Sequence, residues 1–191
     1  MKLILALVGI LSLVLAGCSD DDIGKLAGEI KPNDCPPSAQ IGDRCGGGTV
    51  FENNYLGTGI ILISFEADTP SNPPGAMYKT TNDSSAPAGD FNDGRNNTGT
   101  FNAAHPASYT CQSHVKEGFS DWYLPSVNEM LNLQNVINVL LFVPPGIDPG
   151  GEYHTSTEDI PAQSWAVDLT GGPTSNSKTW PLPVHCIRRA G

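Results

Sequence analysis

Apolar residues in this chain fall into short dense runs separated by long polar stretches. The run IILISF at 60–65 is β-branched and is bounded by glycine and polar residues, a pattern typical of a buried strand. Val50 and Phe51 come shortly before it and precede a turn predicted at Asn53 and Asn54. The two segments together predict a β-hairpin.

A helical spacing of apolar residues begins after the middle of the chain. In HPASYTCQSHVKEG, residues 105–118, Ala107, Cys111 and Val115 recur every four residues along one face. Gly118 can supply a left-handed cap at the end of this segment. The pattern predicts a first helix with Cys111 facing inward.

The segment GFSDWYLPSVNEMLNL, residues 118–133, predicts the start of a second helix. Pro125 disfavours helix for the residue before it, Ser126 is a typical N-cap, and Glu129 completes a capping box. The helix should end before Pro144. Its apolar stripe is predicted to comprise Val127, Met130, Leu131, Ile137, Leu140 and Leu141.

The order of the predicted elements indicates the fold class. The stretch from 68 to 100 is rich in Pro, Gly, Asn, Asp and Ser, which predicts a long structured loop. Strands are predicted at YHTSTED (153–159), SWAVDLTGG (164–172) and PVHCIRR (183–189). Strands, a long loop, two helices and further strands favour an α+β domain.

The amino terminus has the layout of a lipoprotein signal peptide. Residues 1–17 contain one lysine and an apolar core too short to span a bilayer, and they end in small residues. LAGC at 15–18 resembles the bacterial lipobox, which implies cleavage before Cys18 and acylation of that residue. Ser19 resembles the pattern that sorts lipoproteins to the outer membrane. The alternative is an ordinary cleaved signal. We expect residues 18–34 to form an acidic tether and residues 35–191 to form the folded domain.

The net charge of the chain bears on which partners it can bind. Loss of residues 1–17 removes Lys2 alone among the charged groups, which leaves nine basic and twenty acidic residues, a net charge of −11. Nucleic acid is therefore not expected as a partner.

The four cysteines after Cys18 favour two disulfides in an exported chain, and a Cys35–Cys45 bridge would close a small loop. Zinc is the weaker interpretation because even the nearest two lie ten residues apart.

Several of these segments resemble the Lcl C-terminal domain family of bacterial surface domains. The resemblance covers roughly 45–189 and is strongest at W-Y-L-P-S-x-x-E; it also includes DFNDGRNNT (90–98), YHTSTED, SWAVDLTGG and the terminal PVHCIRR. It implies a C-type-lectin-like fold related to the formylglycine-generating enzymes, with a disulfide from Cys111 to Cys186. Departures are His154, Thr155 and Ser156, where the family has Trp-Ser-Ser, and the additional VPPGIDPGG.

Known catalytic and metal motifs do not occur in the sequence. The four histidines form no H-E-x-x-H pair, and no nucleophile elbow, phosphate loop or dinucleotide fingerprint is found. DFNDGRNN matches a calcium loop only loosely, and side chains of Asp90, Asn92 and Asp93 stabilising their own turn are the favoured interpretation. No cofactor or metal is predicted. The tryptophans at 122, 165 and 180 could line a sugar site, but buried structural roles are commoner.

Three functional hypotheses follow. The first is a membrane-anchored surface lipoprotein whose lectin-like domain binds an extracellular glycan or protein. The second is a structural or assembly component of the cell envelope, and the third an enzyme of the formylglycine-generating kind with free, copper-binding cysteines. Adhesins of the family are associated with sulfated polysaccharides. Such polyanions suit this acidic chain poorly, because its only local basic cluster consists of Lys178, Arg188 and Arg189. The long loop is the predicted contact surface through Asp90, Asn92, Asp93, Arg95 and Asn96.

Overall fold

The computed structural model describes residues 34–65, 75–85 and 88–190. The predicted signal peptide, Cys18 and almost all of the tether lie outside the described residues. Residues 31–191 form one compact unit. The described part combines helices with antiparallel strand pairs, as the α+β prediction expected.

Nine strands and three helices are present in the described ranges. The strands are β1 (Arg44–Cys45), β2 (Gly48–Tyr55), β3 (Ile60–Phe65), β4 (Ala76–Met77), β5 (Glu152–Ile160), β6 (Gln163–Asp168), β7 (Gly172–Ser177), β8 (Pro181–Leu182) and β9 (Ile187–Ala190). The helices are α1 (Gly94–Gly99), α2 (Pro106–Gln112) and α3 (Val127–Leu140). They build a sheet of order β1-β2-β3-β9, a pair β4-β8 and a sheet β5-β6-β7.

The predicted hairpin is confirmed as β2 and β3, but its turn lies later than expected. Asn53 and Asn54 belong to β2, and the chain reverses after Tyr55. The turn contains three residues with positive φ angles: Leu56 at 55°, Gly57 at 70° and Gly59 at 76°. Two register shifts within β2 accommodate its polar residues.

Helix α2 is shorter than the sequence pattern predicted. It ends at Gln112, so Val115 lies beyond it and is 72% exposed. Lys116 and Phe119 instead exchange two backbone hydrogen bonds, and Gly118 serves this turn with φ 83° rather than capping the helix. Cys111 is buried, as expected.

Helix α3 begins as the capping box predicted. The hydroxyl of Ser126 accepts from the Glu129 amide, and the Glu129 carboxylate accepts from the Ser126 amide. The helix ends at Leu140, before Pro144. The predicted apolar stripe is wrong at this end, because Leu140 and Leu141 are exposed rather than packed.

A third helix, α1, lies within the predicted loop, where two helices in all were expected. Its sequence GRNNTG has no apolar stripe and therefore no helical period. The helix forms because Asp93 caps it and because Asn97 and Thr98 are buried against the rest of the domain.

Two apolar clusters form the main core. One packs α3 against β2, β3, β5 and β6, with Leu62, Leu133 and Val167 fully buried. The other surrounds Trp122 and the Cys111–Cys186 disulfide. Both predicted disulfides are confirmed, with Cα separations of 5.0 Å for Cys35–Cys45 and 5.4 Å for Cys111–Cys186. Over the described residues, no helix is long and apolar enough to cross a bilayer.

Candidate functional site

The segment before α1 forms a hydrogen-bonded turn. Asp90 Oδ1 accepts from the backbone amides of Asn92, at 2.8 Å, and Asp93, at 3.0 Å. Asp93 Oδ1 accepts from the amide of Asn96 at 2.9 Å and so caps α1. The predicted turn network is therefore present for the side chains of Asp90 and Asp93, whereas the side chain of Asn92 accepts from Asn128 on α3 instead.

Asn97, which the sequence pattern did not single out, joins this turn to β5. Its Oδ1 accepts from the Asp90 amide at 3.1 Å, and its Nδ2 donates to the Asp90 carbonyl at 2.7 Å and to Ser156 Oγ at 3.1 Å. The side chain is fully buried. Thr157 Oγ1 donates to the same carbonyl from β5. The loop is thus held on the sheet rather than extending freely from it.

Glu129 connects the loop, α3 and the last strand. Its fully buried carboxylate accepts through Oε2 from the Gly94 amide at 3.0 Å and from both the amide and the hydroxyl of Ser126. Oε1 accepts from the hydroxyl of Tyr123 at 2.8 Å and from Arg189 Nη2 at 2.8 Å. A side chain predicted only as a capping residue therefore fixes three elements together.

Gly94 is required by this arrangement. A Cβ atom at this position would lie 2.4 Å from the Ser126 nitrogen, 2.5 Å from the Leu124 oxygen and 2.7 Å from Glu129 Oε2. No side chain can be placed so close to backbone atoms. The glycine lets α1 approach the start of α3.

Arg189 closes the network from β9. It donates to Asp93 Oδ2 at 3.0 Å and to the Asn92 carbonyl at 3.1 Å, besides its contact with Glu129. Its guanidinium lies 5.8 Å from the ring centroid of Tyr55 and 5.9 Å from that of Tyr123. Burial raises the pKa of Tyr123, so this hydroxyl stays neutral and donates to Glu129.

The outer side of this network carries aromatic and polar side chains, of which Phe91 and Asn92 are exposed and Asn128 and Trp165 are partly buried. Phe91 is 44% exposed, and its ring lies 6.3 Å from that of Trp165 on β6. Asn128 Nδ2 donates to Asn92 Oδ1 at 2.7 Å, and the Asn128 amide donates to the Phe91 carbonyl at 3.1 Å. We call this surface the Phe91 face; it comprises Phe91, Asn92, Asn128 and Trp165 together with the exposed Arg95 and Asn96 at the start of α1.

The predicted basic cluster is not a surface patch. Lys178 is fully buried and contacts Glu158 Oε2 at 2.6 Å, and Arg188 is 4% exposed and binds Asp121. Arg189 is paired with Glu129 and Asp93. Each cation is used inside the domain because its neighbours in the fold are carboxylates, which the linear sequence does not show.

Three of the four histidines, His105, His154 and His185, are buried and neutral, and His114 is partly buried. Burial lowers the pKa of His105, His154 and His185 to about 4. His185 Nε2 lies 2.8 Å from Ser64 Oγ, and His154 Nε2 lies 3.2 Å from the Trp180 carbonyl. Within the described ranges, no three His, Cys, Asp or Glu side chains are grouped so that they could hold a metal ion.

Comparison with known proteins adds no relative. No family model matches the chain, and no curated protein matches it.

Proposed function

We propose that this protein is a bacterial lipoprotein held in the outer membrane by acylated Cys18. In this proposal the domain from residue 35 is a C-type-lectin-like domain of the Lcl C-terminal kind, and it binds an extracellular glycan through the Phe91 face. The LAGC sequence supports the anchor, and the mixed antiparallel architecture with a Cys111–Cys186 bridge is compatible with the lectin-like fold.

The observation that carries the binding proposal is the exposed ring of Phe91 beside the partly buried ring of Trp165, on a rigid support. Phe91 and Trp165 present ring surface, and the apolar face of a sugar ring can stack on such a surface. The side-chain amides of Asn92 and Asn128 lie beside Phe91 and, with that of exposed Asn96 in α1, offer both donors and acceptors to hydroxyl groups. Because Asn97 and Glu129 fix the loop beneath, binding requires little further ordering.

The charges on the domain indicate which glycans suit it. Lys178, Arg188 and Arg189 are paired internally, so they offer little to a sulfated chain. Arg95 is an exposed cation at the Phe91 face, in a mature chain with a net charge of −11. A neutral or singly anionic sugar therefore fits better than a polysulfated one.

A structural component of the envelope without a small ligand is the second candidate. The side chains of Asp90 and Asp93 satisfy backbone amides of their own turn, which is a sufficient structural role for them.

An enzyme of the formylglycine-generating kind is disfavoured, because it needs free thiols and the four cysteines of the described domain are joined in two disulfides.

A glycan array probed with the purified full chain in detergent tests the binding proposal. For a sugar found on the array, Arg95→Ala combined with Asn96→Ala should weaken affinity at least tenfold without changing the melting temperature. Asn135→Ala, on the exposed side of α3, is the matched control and should bind like the wild type. Unchanged affinity in the double variant would place the ligand elsewhere, and no bound sugar would favour the structural role.

The anchor is tested separately. The intact mass of the membrane-extracted protein should correspond to a chain that begins at Cys18 and carries acyl groups. Cys18→Ser should release the protein from the membrane fraction. Full membrane retention of this variant would refute the lipid anchor and leave the binding proposal standing.

A further inference from the structure

The end of α3 exposes a continuous apolar segment. Val139 is 66% exposed, Leu140 53%, Leu141 84% and Val143 42%. We call residues 139–143 the apolar tip. A single exposed apolar residue needs no explanation, but four within five consecutive positions form a patch of the kind that marks an interaction surface.

The apolar tip lies in an uncharged part of a strongly acidic chain. Residues 130–147 contain no Asp, Glu, Lys, Arg or His, although the whole chain has 20 acidic groups. The last turn of α3 also has no basic residue to compensate the helix carbonyls. Such a segment can leave water without moving an ionised side chain into a less polar medium.

Leu141 is unfavourable for folding at its position. It ends α3 with φ 54° and ψ 31°, the left-handed conformation that glycine or asparagine usually supplies. A leucine there is strained, and its side chain projects into water. A large apolar residue at an exposed strained site indicates a role outside the fold.

The described chain begins at a bounded distance from the apolar tip. A Cβ at Gly42 would lie 3.7 Å from the ring of Phe142. Gly42 is three residues from Cys45, a span of at most about 11 Å, and the Cys35–Cys45 bridge has a Cα separation of 5.0 Å. The chain therefore enters the folded domain within roughly 16 Å of Gly42.

We propose that the apolar tip inserts into the lipid interface of the membrane that carries the Cys18 anchor. The proposal depends on the lipid anchor of the proposed function. Cys18 precedes the first described residue by only 16 positions in the sequence, so the anchor keeps the domain near the lipid. Acyl anchoring then needs only a modest second contact to orient the domain.

This orientation directs the Phe91 face away from the membrane. Asn128 of that face lies at the start of α3, and the apolar tip lies at its other end. With 14 residues, α3 separates the two by about 20 Å. Insertion of the tip therefore leaves the proposed ligand surface accessible from outside.

The acidic residues near the apolar tip indicate which lipid headgroups it should contact. Asp43 follows Gly42, which lies against Phe142, and Asp148 follows the uncharged segment. An anionic lipid surface would repel these two carboxylates. A zwitterionic lipid surface is therefore the expected partner, and anionic vesicles should bind the tip more weakly.

Hydrogen exchange on vesicles tests the proposal. The full acylated chain is reconstituted in phosphatidylcholine vesicles, and the unacylated Cys18→Ser chain in solution is the reference. Amides of 139–143 should exchange at least fivefold more slowly on vesicles, whereas those of 91–96 should not change. Leu140→Glu combined with Leu141→Glu should abolish the slowing. The matched control, Leu56→Glu combined with Val115→Glu, alters two exposed apolar residues elsewhere and should keep it.

A second arm keeps the test independent of acylation. With the other four cysteines in disulfides, a chain that starts at Cys18 can be coupled to a maleimide lipid through that residue. Slowed exchange at 139–143 in this arm supports the tip contact even if Cys18 is not acylated in cells. Equal exchange on vesicles and in solution overturns the proposal. Slowing that grows with protein density at constant lipid also overturns it, because it indicates a second copy as the occupant.

Discussion

At the scale of single residues, Glu129 shows how much a local pattern leaves out. The spacing Ser126-x-x-Glu129 predicted a capping box, and the capping box is present. The contacts with Gly94, Tyr123 and Arg189 join positions up to 60 residues apart. No local pattern encodes such pairs, so the central role of this carboxylate could not be predicted from spacing.

Replacement of Glu129 by glutamine should destabilise the domain strongly. Both carboxylate oxygens accept hydrogen bonds, so either orientation of the amide directs its NH₂ group at donors. We expect the free energy of unfolding to fall by about 3–5 kcal/mol. Urea denaturation measures this, with exposed Glu117→Gln as the control that should change it by less than about 0.5 kcal/mol. Equal midpoints for the two variants would contradict the network.

The buried histidines predict a loss of stability in mild acid. His105, His154 and His185 have pKa values of about 4 in the fold, against 6.5 in the unfolded chain. Above pH 6.5 both states are neutral at these sites. As the pH falls from 6.5 towards 4, the unfolded state binds protons that the folded state excludes, so stability falls. Urea midpoints at pH 7 and pH 5 should therefore differ, and a constant midpoint would show that these rings are not held neutral.

At the scale of elements, the sequence predicted best where apolar period and capping residues coincide. The start of α3 had both kinds of signal and is confirmed, whereas the hairpin of β2 and β3 is confirmed from its β-branched run although its turn was predicted too early. Helix α1 was missed because six polar and glycine residues carry no period. Helix α2 was predicted too long because a four-residue spacing to Val115 does not reveal whether that position is buried.

The end of α3 offers an element-scale prediction about strain. Leu141→Gly should raise the free energy of unfolding by about 1 kcal/mol, since glycine adopts the left-handed conformation without a steric penalty. Val139→Gly, two residues earlier in the regular helix, should lower it. Thermal denaturation of both variants checks the pair. A destabilised Leu141→Gly protein would mean that Leu141 packs within the fold.

The two disulfides should contribute unequally. Cys111–Cys186 closes 75 residues and ties α2 to the segment before β9, whereas Cys35–Cys45 closes only ten. In the chain-entropy model, replacing the long-range pair by alanines should cost about 4 kcal/mol, and replacing the short-range pair should cost less. Chemical denaturation of the two double variants checks this order. Equal costs would contradict the entropic account.

At the scale of the whole molecule, the two ends of α3 have different proposed roles. The Phe91 face at one end is rigid, aromatic and polar, and we propose that it binds a glycan. The apolar tip at the other end is uncharged, and we propose that it contacts lipid. The sequence predicted the loop residues of the first surface, but Trp165 and Asn128 join them only through the fold.

The most direct test of this account is a map of backbone amide chemical shifts as an array-identified sugar is titrated into the isotope-labelled protein. We expect the largest changes in chemical shift at residues 90–97, 128 and 165, and no change at the apolar tip. Changes concentrated elsewhere, for example around the exposed Trp180, with residues 90–97 unaffected, would contradict it.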